Sequence, residues 1–385
     1  MPLILRILSI AAFSFSGIYL ILIIFFYSGF RKLKAHELKS DEELPELTVI
    51  VCAKDEEEHI GITLNSILAQ DYPKEKFSII AVNDRSEDKT PELLDSLASK
   101  HDNITVLHIS ECPLGVSPKK NAIEQAIKEC KTEFIVACDA DIKHKSKWLR
   151  SYGSMCNDSL GCSTALCVLK KDSYLSKWEE TWQDMQMIEN LSYGVVNAGA
   201  MANGFPITAY GGNMMYRKEL FKNDDALRDD VVTGDDTMIV YEAQRQKYDI
   251  VFNMHPEAVA DVVPEDTIAA MINQRIRWAS HTMKMTFPVV LMMLAIFFFY
   301  LSTFIFPLLG FININMLYYG LALFAVKACC DIFYMNVTLK RFDIPFKFKH
   351  LLLMELLHAP FIIWVGLHGT FGKFTWKGST YKKTL

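Results

Sequence analysis

Two stretches without a single charged residue, residues 7–30 and residues 285–326, constrain this chain more than any other feature. About 20 apolar residues cross the hydrocarbon core of a bilayer, so the first run has the length of one crossing and the second of two. The first exceeds the core of a cleaved secretion signal and reads as a retained membrane helix. Arg31, Lys32 and Lys34 follow at once, which puts the next segment in the cytosol. In the second run Pro307, Asn313 and Asn315 mark a break, predicting helices over residues 287–307 and 316–337 with a short external turn. Lys327 and Asp331 lie one helical turn apart in the later helix, a pair that either neutralises itself or marks a functional site. Lys340, Arg341, Lys347 and Lys349 mark a return to the cytosol. A last apolar stretch, residues 351–371, precedes a basic tail. A crossing would put that tail outside, whereas a re-entrant or interfacial segment would keep it in the cytosol, and the sequence leaves both open. The chain is thus read as a membrane helix over residues 1–30, a cytosolic domain over residues 31–285, a helical hairpin over residues 286–338 and a membrane or re-entrant segment over residues 350–385.

The polar middle reads as α/β. Strand patterns over residues 47–52, 77–82, 105–109 and 134–138 alternate with helix patterns over residues 56–70, 90–101 and 119–130. Strict alternation implies a mostly parallel sheet with right-handed crossovers, and such sheets bind ligands at the carboxyl ends of their strands. Polar residues collect there: Lys54, Asp55 and Glu56 after the first strand, Asn83 and Asp84 after the second, Asp139 and Asp141 after the fourth. Any one of them would serve equally as a helix cap or turn former. Together they would repel one another in one crevice unless a cation intervened, which argues for a metal. Alternation along the fourth strand sends Asp139 and Asp141 to the same side, where two hard oxygen donors suit Mg²⁺ or Mn²⁺.

Further along, residues 170–204 are less regular; the Trp178, Trp182 and methionine side chains there could line a sugar-acceptor groove if exposed, but read first as packing. Tyr210-Gly211-Gly212-Asn213 offers two glycines that let backbone approach a ligand closely. Asp235 and Asp236 precede a helix over residues 238–247, where acidic groups favour the helix dipole but could also remove a proton from a hydroxyl. A helix over residues 267–283 places Gln274, Arg277 and Trp278 on one face. Their amide, guanidinium and indole could meet one carbohydrate or phosphate, although an interfacial amphipathic helix carries the same pattern. The formal charge of -5 without a long basic block argues against nucleic acid as a partner. The nine cysteines have no paired C-x-x-C spacing and read as reduced packing residues.

Taken in order, Ala53-Lys54-Asp55-Glu56, Asn83-Asp84-Arg85-Ser86, Lys119, Asp139-Ala140-Asp141, Asp235-Asp236 and Gln274-Arg275-Ile276-Arg277-Trp278 resemble the motif series of the family 2 glycosyltransferases. The resemblance covers residues 47–278 and implies a GT-A fold, an α/β nucleotide-sugar-binding domain, here with transmembrane helices at both ends. By resemblance, Ala53, Asp55, Glu56 and Asp84 hold the nucleoside and Lys119 lies near the nucleotide. Asp139 and Asp141 bind Mg²⁺ or Mn²⁺ with the diphosphate, and Gly212 and Asn213 flank the donor sugar. Asp236, preceded by Asp235, is the catalytic base, while Gln274 and Arg277 assist the diphosphate and Trp278 contacts the acceptor. Two positions depart from the family pattern: Arg85 replaces the glycine of Asp-Asp-Gly-Ser, with Asn83 in place of its first aspartate, and Cys52 replaces the usual proline before Ala53.

Gln-x-x-Arg-Trp narrows the resemblance to membrane-embedded members that make cellulose, hyaluronan or poly-N-acetylglucosamine, and to ceramide glucosyltransferases. The implied activity is inverting transfer of a sugar from a nucleotide donor, UDP-linked, to a lipid or glycan hydroxyl. The implied place is the cell membrane, in a multi-pass arrangement with the catalytic domain cytosolic. A processive polysaccharide synthase is the alternative within the class, and a non-catalytic nucleotide-sugar-binding membrane scaffold the alternative outside it.

Overall fold

The computed structural model describes residues 2–113, 116–170, 173–174, 176–222 and 233–382. In chain order α1 (Leu3–Lys32) is followed by β1 (Leu47–Ala53), α2 (Ile60–Leu68), β2 (Phe77–Asp84), α3 (Thr90–Ala98), β3 (Ile104–Ile109), α4 (Pro118–Glu129) and β4 (Phe134–Asp139). Next come β5 (Ile142–Lys143), α5 (Trp148–Gly153), β6 (Leu160–Thr164), β7 (Cys167–Leu169), α6 (Lys177–Ala202), β8 (Asn213–Arg217), α7 (Asp235–Arg245), β9 (Asp249–Phe252) and β10 (Ala260–Val262). The chain closes with α8 (Ile268–Ala279), α9 (Phe287–Leu309), α10 (Ile314–Arg341), α11 (Phe348–Phe371) and the hairpin β11 (Lys373–Trp376) and β12 (Ser379–Lys382). These elements form an α/β unit, residues 32–171 and 200–264, and a helical unit, residues 1–31, 172–199 and 265–385.

In the α/β unit the strand order is β3-β2-β1-β4-β8-β6-β9, and β1 pairs in parallel with both β2 and β4. The β1 sequence is apolar and β-branched along nearly its whole length and buried on both faces, as a central parallel strand must be. Only β8 runs against its neighbours β4 and β6, so the sheet is mostly parallel. In α4 the residues Ala122, Ile123, Ala126 and Ile127 form the buried stripe, and Pro118 opens the helix where its missing N–H is not needed.

Three local differences from the sequence reading have physical causes. The helix expected from residue 56 begins at Ile60, because Asp55 takes a left-handed backbone (φ 52) and the Glu56 and Glu57 amides donate to Thr90 and Asp88 side chains instead. Strand β4 stops at Asp139, and Asp141 follows in a turn, so simple alternation does not relate the two carboxylates. The irregular-looking residues 177–202 are the long helix α6. Its buried face mixes Gln183, Gln186, Glu189 and Asn190 with Ile188, Leu191 and Val195, and that mixture hides the helical period.

In the helical unit α1, α9, α10 and α11 are each long and apolar enough to cross a membrane. They share a core that includes Tyr19, Ile23, Phe299, Phe306, Leu323 and Ala359. Residues 310–313 connect α9 to α10, and Gly320 lies against Pro307, where an added Cβ would come 2.5 Å from the proline ring. The last apolar stretch is the continuous helix α11. At its start Lys347 pairs with Glu180, and His350 Nδ1 lies 2.6 Å from Asp184, both partners being on α6. Near its end Gly369 meets Ala279 of α8, and beyond it Thr375 exchanges hydrogen bonds with Asn273 of α8.

Candidate active site

Register brings the acidic strand ends together. Cys52 at the end of β1 pairs with Asp139 on one side, and its neighbour Ala53 pairs with Asn83 on the other. The Cys52 thiol is pushed up to about 12 by burial, and it feels the charges of Lys119, Asp139, Asp235 and Asp84 in turn. Lys119 of α4, Asp139 of β4 and Asp235 of α7 meet at the carboxyl edge of the sheet, and the charge of Asp84 on β2 reaches Cys52 beside them.

Lys119 is the hub of this cluster. Its Nζ lies 2.8 Å from Asp139 Oδ1 and 3.8 Å from Asp235 Oδ2. Burial opposes its charge, but Asp139 and Asp235 outweigh that and hold the ammonium protonated far above neutrality. Asp235 and Asp236 form the first turn of α7 after Gly234, whose left-handed backbone (φ 82) turns the chain into the helix. Asp236 is partly buried, accepts a hydrogen bond from the Thr237 amide at 2.7 Å, and is pushed up to about 7 by burial and then by Asp235. The two glycines sit against these carboxylates. A Cβ at Gly212 would fall 2.4 Å from Asp139 Oδ2, and one at Gly211 would fall 3.3 Å from Asp236 Cβ.

The nucleoside end is built from two interlocked loops. The Asp55 amide donates to Ser86 Oγ and the Asp55 carboxylate accepts from the Glu87 amide at 2.8 Å, so the loop after β1 is tied to the loop after β2. Asp84 is buried and accepts a 2.8 Å hydrogen bond from Arg85 Nε. Arg85 holds a left-handed backbone, φ 57, at the place where the family pattern has glycine, which explains that glycine in terms of backbone freedom. Asn83 is held by His108, itself 3.0 Å from Asp95. Nothing in the sequence marks His108, which alternation alone leaves as an ordinary strand residue.

Asn213 requires correction. Its side chain is wholly buried: Oδ1 accepts from Trp148 Nε1 and Tyr152 OH, and Nδ2 donates to the carbonyls of Leu166 and Ala258. All four hydrogen-bonding positions are filled, so this amide positions β8 beneath the glycines and has no capacity left for a ligand.

Gln274, Arg277 and Trp278 belong to the helical unit. Gln274 Nε2 donates to Glu265 at 2.7 Å, the Arg277 guanidinium lies over Trp376 at 5.2 Å, and Trp278 packs on Arg275 at 4.3 Å. Arg275, which the motif leaves unspecified, is the anchor. Buried to 1 % exposure, it makes a two-pronged ion pair with Glu189 of α6 at 2.8 and 2.6 Å. Breaking such a pair by removing one partner costs about 3–5 kcal/mol.

Among the described residues no three His, Cys, Asp or Glu side chains converge as a metal cage. Mg²⁺ takes one or two carboxylates from a protein and keeps the rest of its shell for phosphate oxygens and water. Asp139 and Asp141 carry carboxylate oxygens of that hard kind, and in this structure Asp139 accepts from the Lys119 ammonium.

A mostly parallel sheet with acidic strand ends around one lysine, and an acidic helix start beside them, defines a GT-A nucleotide-sugar-binding fold. The chain belongs to the glycosyltransferase like family 2, whose model matches residues 45–280. The poly-beta-1,6-N-acetyl-D-glucosamine synthase of Staphylococcus epidermidis is 26% identical over 248 residues, 63% of this chain and 56% of that protein. The beta-monoglucosyldiacylglycerol synthase of Trichormus variabilis is 24% identical over 251 residues, 65% of this chain and 52% of that protein. The chain thus spans about half the length of the curated relatives it matches. In fold it is similar to the mannosyltransferase PcManGT from Pyrobaculum calidifontis, solved in complex with GDP-Man and Mn²⁺. The TM-score is 0.59 at 17% identity, covering 94% of this chain and 98% of that one.

Proposed function

We propose that this chain is a membrane-bound inverting glycosyltransferase that moves a sugar from a nucleotide-sugar donor, UDP-linked, to a hydroxyl of a lipid or glycan. The observation that carries the proposal is Asp236. It is a partly buried carboxylate with ionisation near neutrality, on the same edge as Lys119, Asp139 and Asp235 and beside the Gly211-Gly212 backbone. An alcohol is a weak nucleophile until a placed base takes its proton, and a base is most useful when its pKa lies near the working pH. Asp236 takes that proton as the hydroxyl attacks the anomeric carbon opposite the leaving diphosphate, which inverts the configuration.

The other residues bind and orient. Ala53, Asp55, Glu56 and Asp84 line the nucleoside end, and Lys119 meets the diphosphate. Gly212 keeps the backbone close to Asp139, while Gln274 and Arg277 serve the diphosphate and Trp278 the acceptor. Mg²⁺ or Mn²⁺ on Asp139 and Asp141 would neutralise charge on the departing diphosphate. The presence of Mn²⁺ in the fold neighbour supports this choice. The relatives' names cover both a glycan and a glycolipid product. Among the described residues there are four apolar helices, few for a polymer-conducting channel, which favours limited transfer to a lipid over repeated addition; product length on a gel separates the two.

The membrane reading extends to topology. The basic groups Arg31, Lys32 and Lys34, and later Lys340 and Arg341, set the α/β unit in the cytosol. Helix α11 is tied at its start to α6 and at its end to α8, two helices outside the apolar spans. It therefore enters the bilayer without crossing it, and the basic tail stays cytosolic.

The test is Asp236→Asn, assayed in membranes against a panel of nucleotide sugars by release of nucleotide diphosphate. Release should vanish while nucleotide binding persists. Turnover retained in that variant would remove the base assignment.

A further inference from the structure

Inside the helical unit, each apolar helix contributes a polar side chain to one buried cluster. Lys327 of α10 is fully buried, with its ammonium 2.8 Å from Asp331 Oδ2 and 2.6 Å from Glu355 Oε2 of α11. The Tyr300 ring of α9 faces the same ammonium at 5.1 Å. Tyr19 of α1 donates its hydroxyl proton to Asp331 Oδ1 and lies 3.4 Å from the Tyr300 hydroxyl. The carboxyl groups are 11% and 3% exposed at Asp331 and Glu355.

Charge does not balance here. Two carboxylates face one ammonium, and an uncompensated charge in such surroundings is strongly disfavoured. Among the described residues the remaining basic neighbour is His358 of α11, packed against Tyr300, and nothing there meets its buried Nδ1. A protonated imidazole donates from both nitrogens, so a charge there would leave a buried N–H unsatisfied. His358 therefore does not supply the missing positive charge. Hydrogen bonding distinguishes the two acids. Among the described residues Asp331 is bonded at both oxygens, by Tyr19 and by Lys327, whereas Glu355 is bonded only at Oε2. We propose that this cluster is a proton-binding site, with the proton on the free oxygen of Glu355 and Lys327 and Asp331 left as an ion pair. The proposal rests on burial within the helical unit and not on the glycosyl-transfer reading.

Infrared difference spectroscopy on the full chain in lipid nanodiscs at neutral pH tests it. Subtracting Glu355→Gln from the unsubstituted protein should reveal the carbonyl stretch of one protonated carboxylic acid. That variant keeps the shape of the side chain and leaves the Lys327–Asp331 pair balanced, so it should fold. In Asp331→Asn the same band should disappear even though Glu355 remains, because Lys327 then balances it. A Glu355→Gln difference containing only ionised-carboxylate bands would overturn the proposal, and would show the charge to be balanced by another ion. A band surviving Asp331→Asn would overturn the charge-balance argument.

Discussion

Asp236 has opposite effects on activity and stability. Folded protein holds its proton up to about pH 7, whereas an unfolded chain releases it in the ordinary carboxylate range. Between those values the native state binds more protons than the unfolded one, so this group's contribution to stability falls as pH rises through the window. Activity should move the other way, rising toward a plateau with an inflection near pH 7, measurable as the kcat profile across pH 5–9 at saturating donor, roughly the span over which such a base titrates. A flat profile would detach the reaction from this carboxylate. Gly212 supplies a second residue-scale expectation. Gly212→Ala must displace Asp139, since the new methyl would sit 2.4 Å from its Oδ2, and a shift of that size lowers turnover by on the order of 10²-fold. Unchanged turnover in a variant of normal melting temperature would remove Asp139 from the mechanism. The candidate residues Asp139 and Asp236 could be singled out in the sequence because they stand at strand and helix ends where pattern and charge agree. Asn213 was misread because its neighbour Gly212 does approach the site, and only the partners Trp148 and Tyr152 reveal that the amide faces inward.

Elements were readable where one face alone is buried or where burial is complete. Strands β1 to β4 and helix α4 follow their patterns closely. Helix α6 escaped because buried Glu189, Gln183 and Gln186 break the apolar stripe, and each needs a partner that lies far away in sequence, such as Arg275. The short strands β5, β7 and β10 are two or three residues long and leave no periodic trace. Helix α7 ends at Arg245, and exposed Lys247 just beyond it adopts φ 63. A side chain in that conformation is strained relative to glycine, so Lys247→Gly should stabilise the protein by about 0.5–1 kcal/mol. Calorimetry should register this as a higher Tm, and a lower Tm would contradict the cap geometry.

The whole molecule poses the question that charge patterns left open. Its final helix has the length of a span, yet both of its ends are held by helices outside the apolar spans. A reporter fused after Leu385 should therefore carry the cytosolic signature in intact cells, the same as one inserted in the α/β unit. An external signature would make α11 a crossing. The sequence leaves this open, since length and hydropathy treat a span and a re-entrant helix alike, and the bonds to Glu180, Asp184 and Asn273 that support the proposed reading join residues about 100 to 170 positions apart.

The wiring of the helical unit also sets an order of assembly during synthesis. Helix α1 leaves the ribosome first with Tyr19, whose carboxylate partner Asp331 is made 312 residues later, and the Phe30 carbonyl waits 311 residues for Arg341. The α/β unit is translated in between and can complete its own sheet during that delay. Nascent chains halted before residue 327 would then carry a completed α/β unit while Tyr19 and Phe30 of α1 still lack these two partners, although α1 could already pack on Phe299 and Tyr300 of α9.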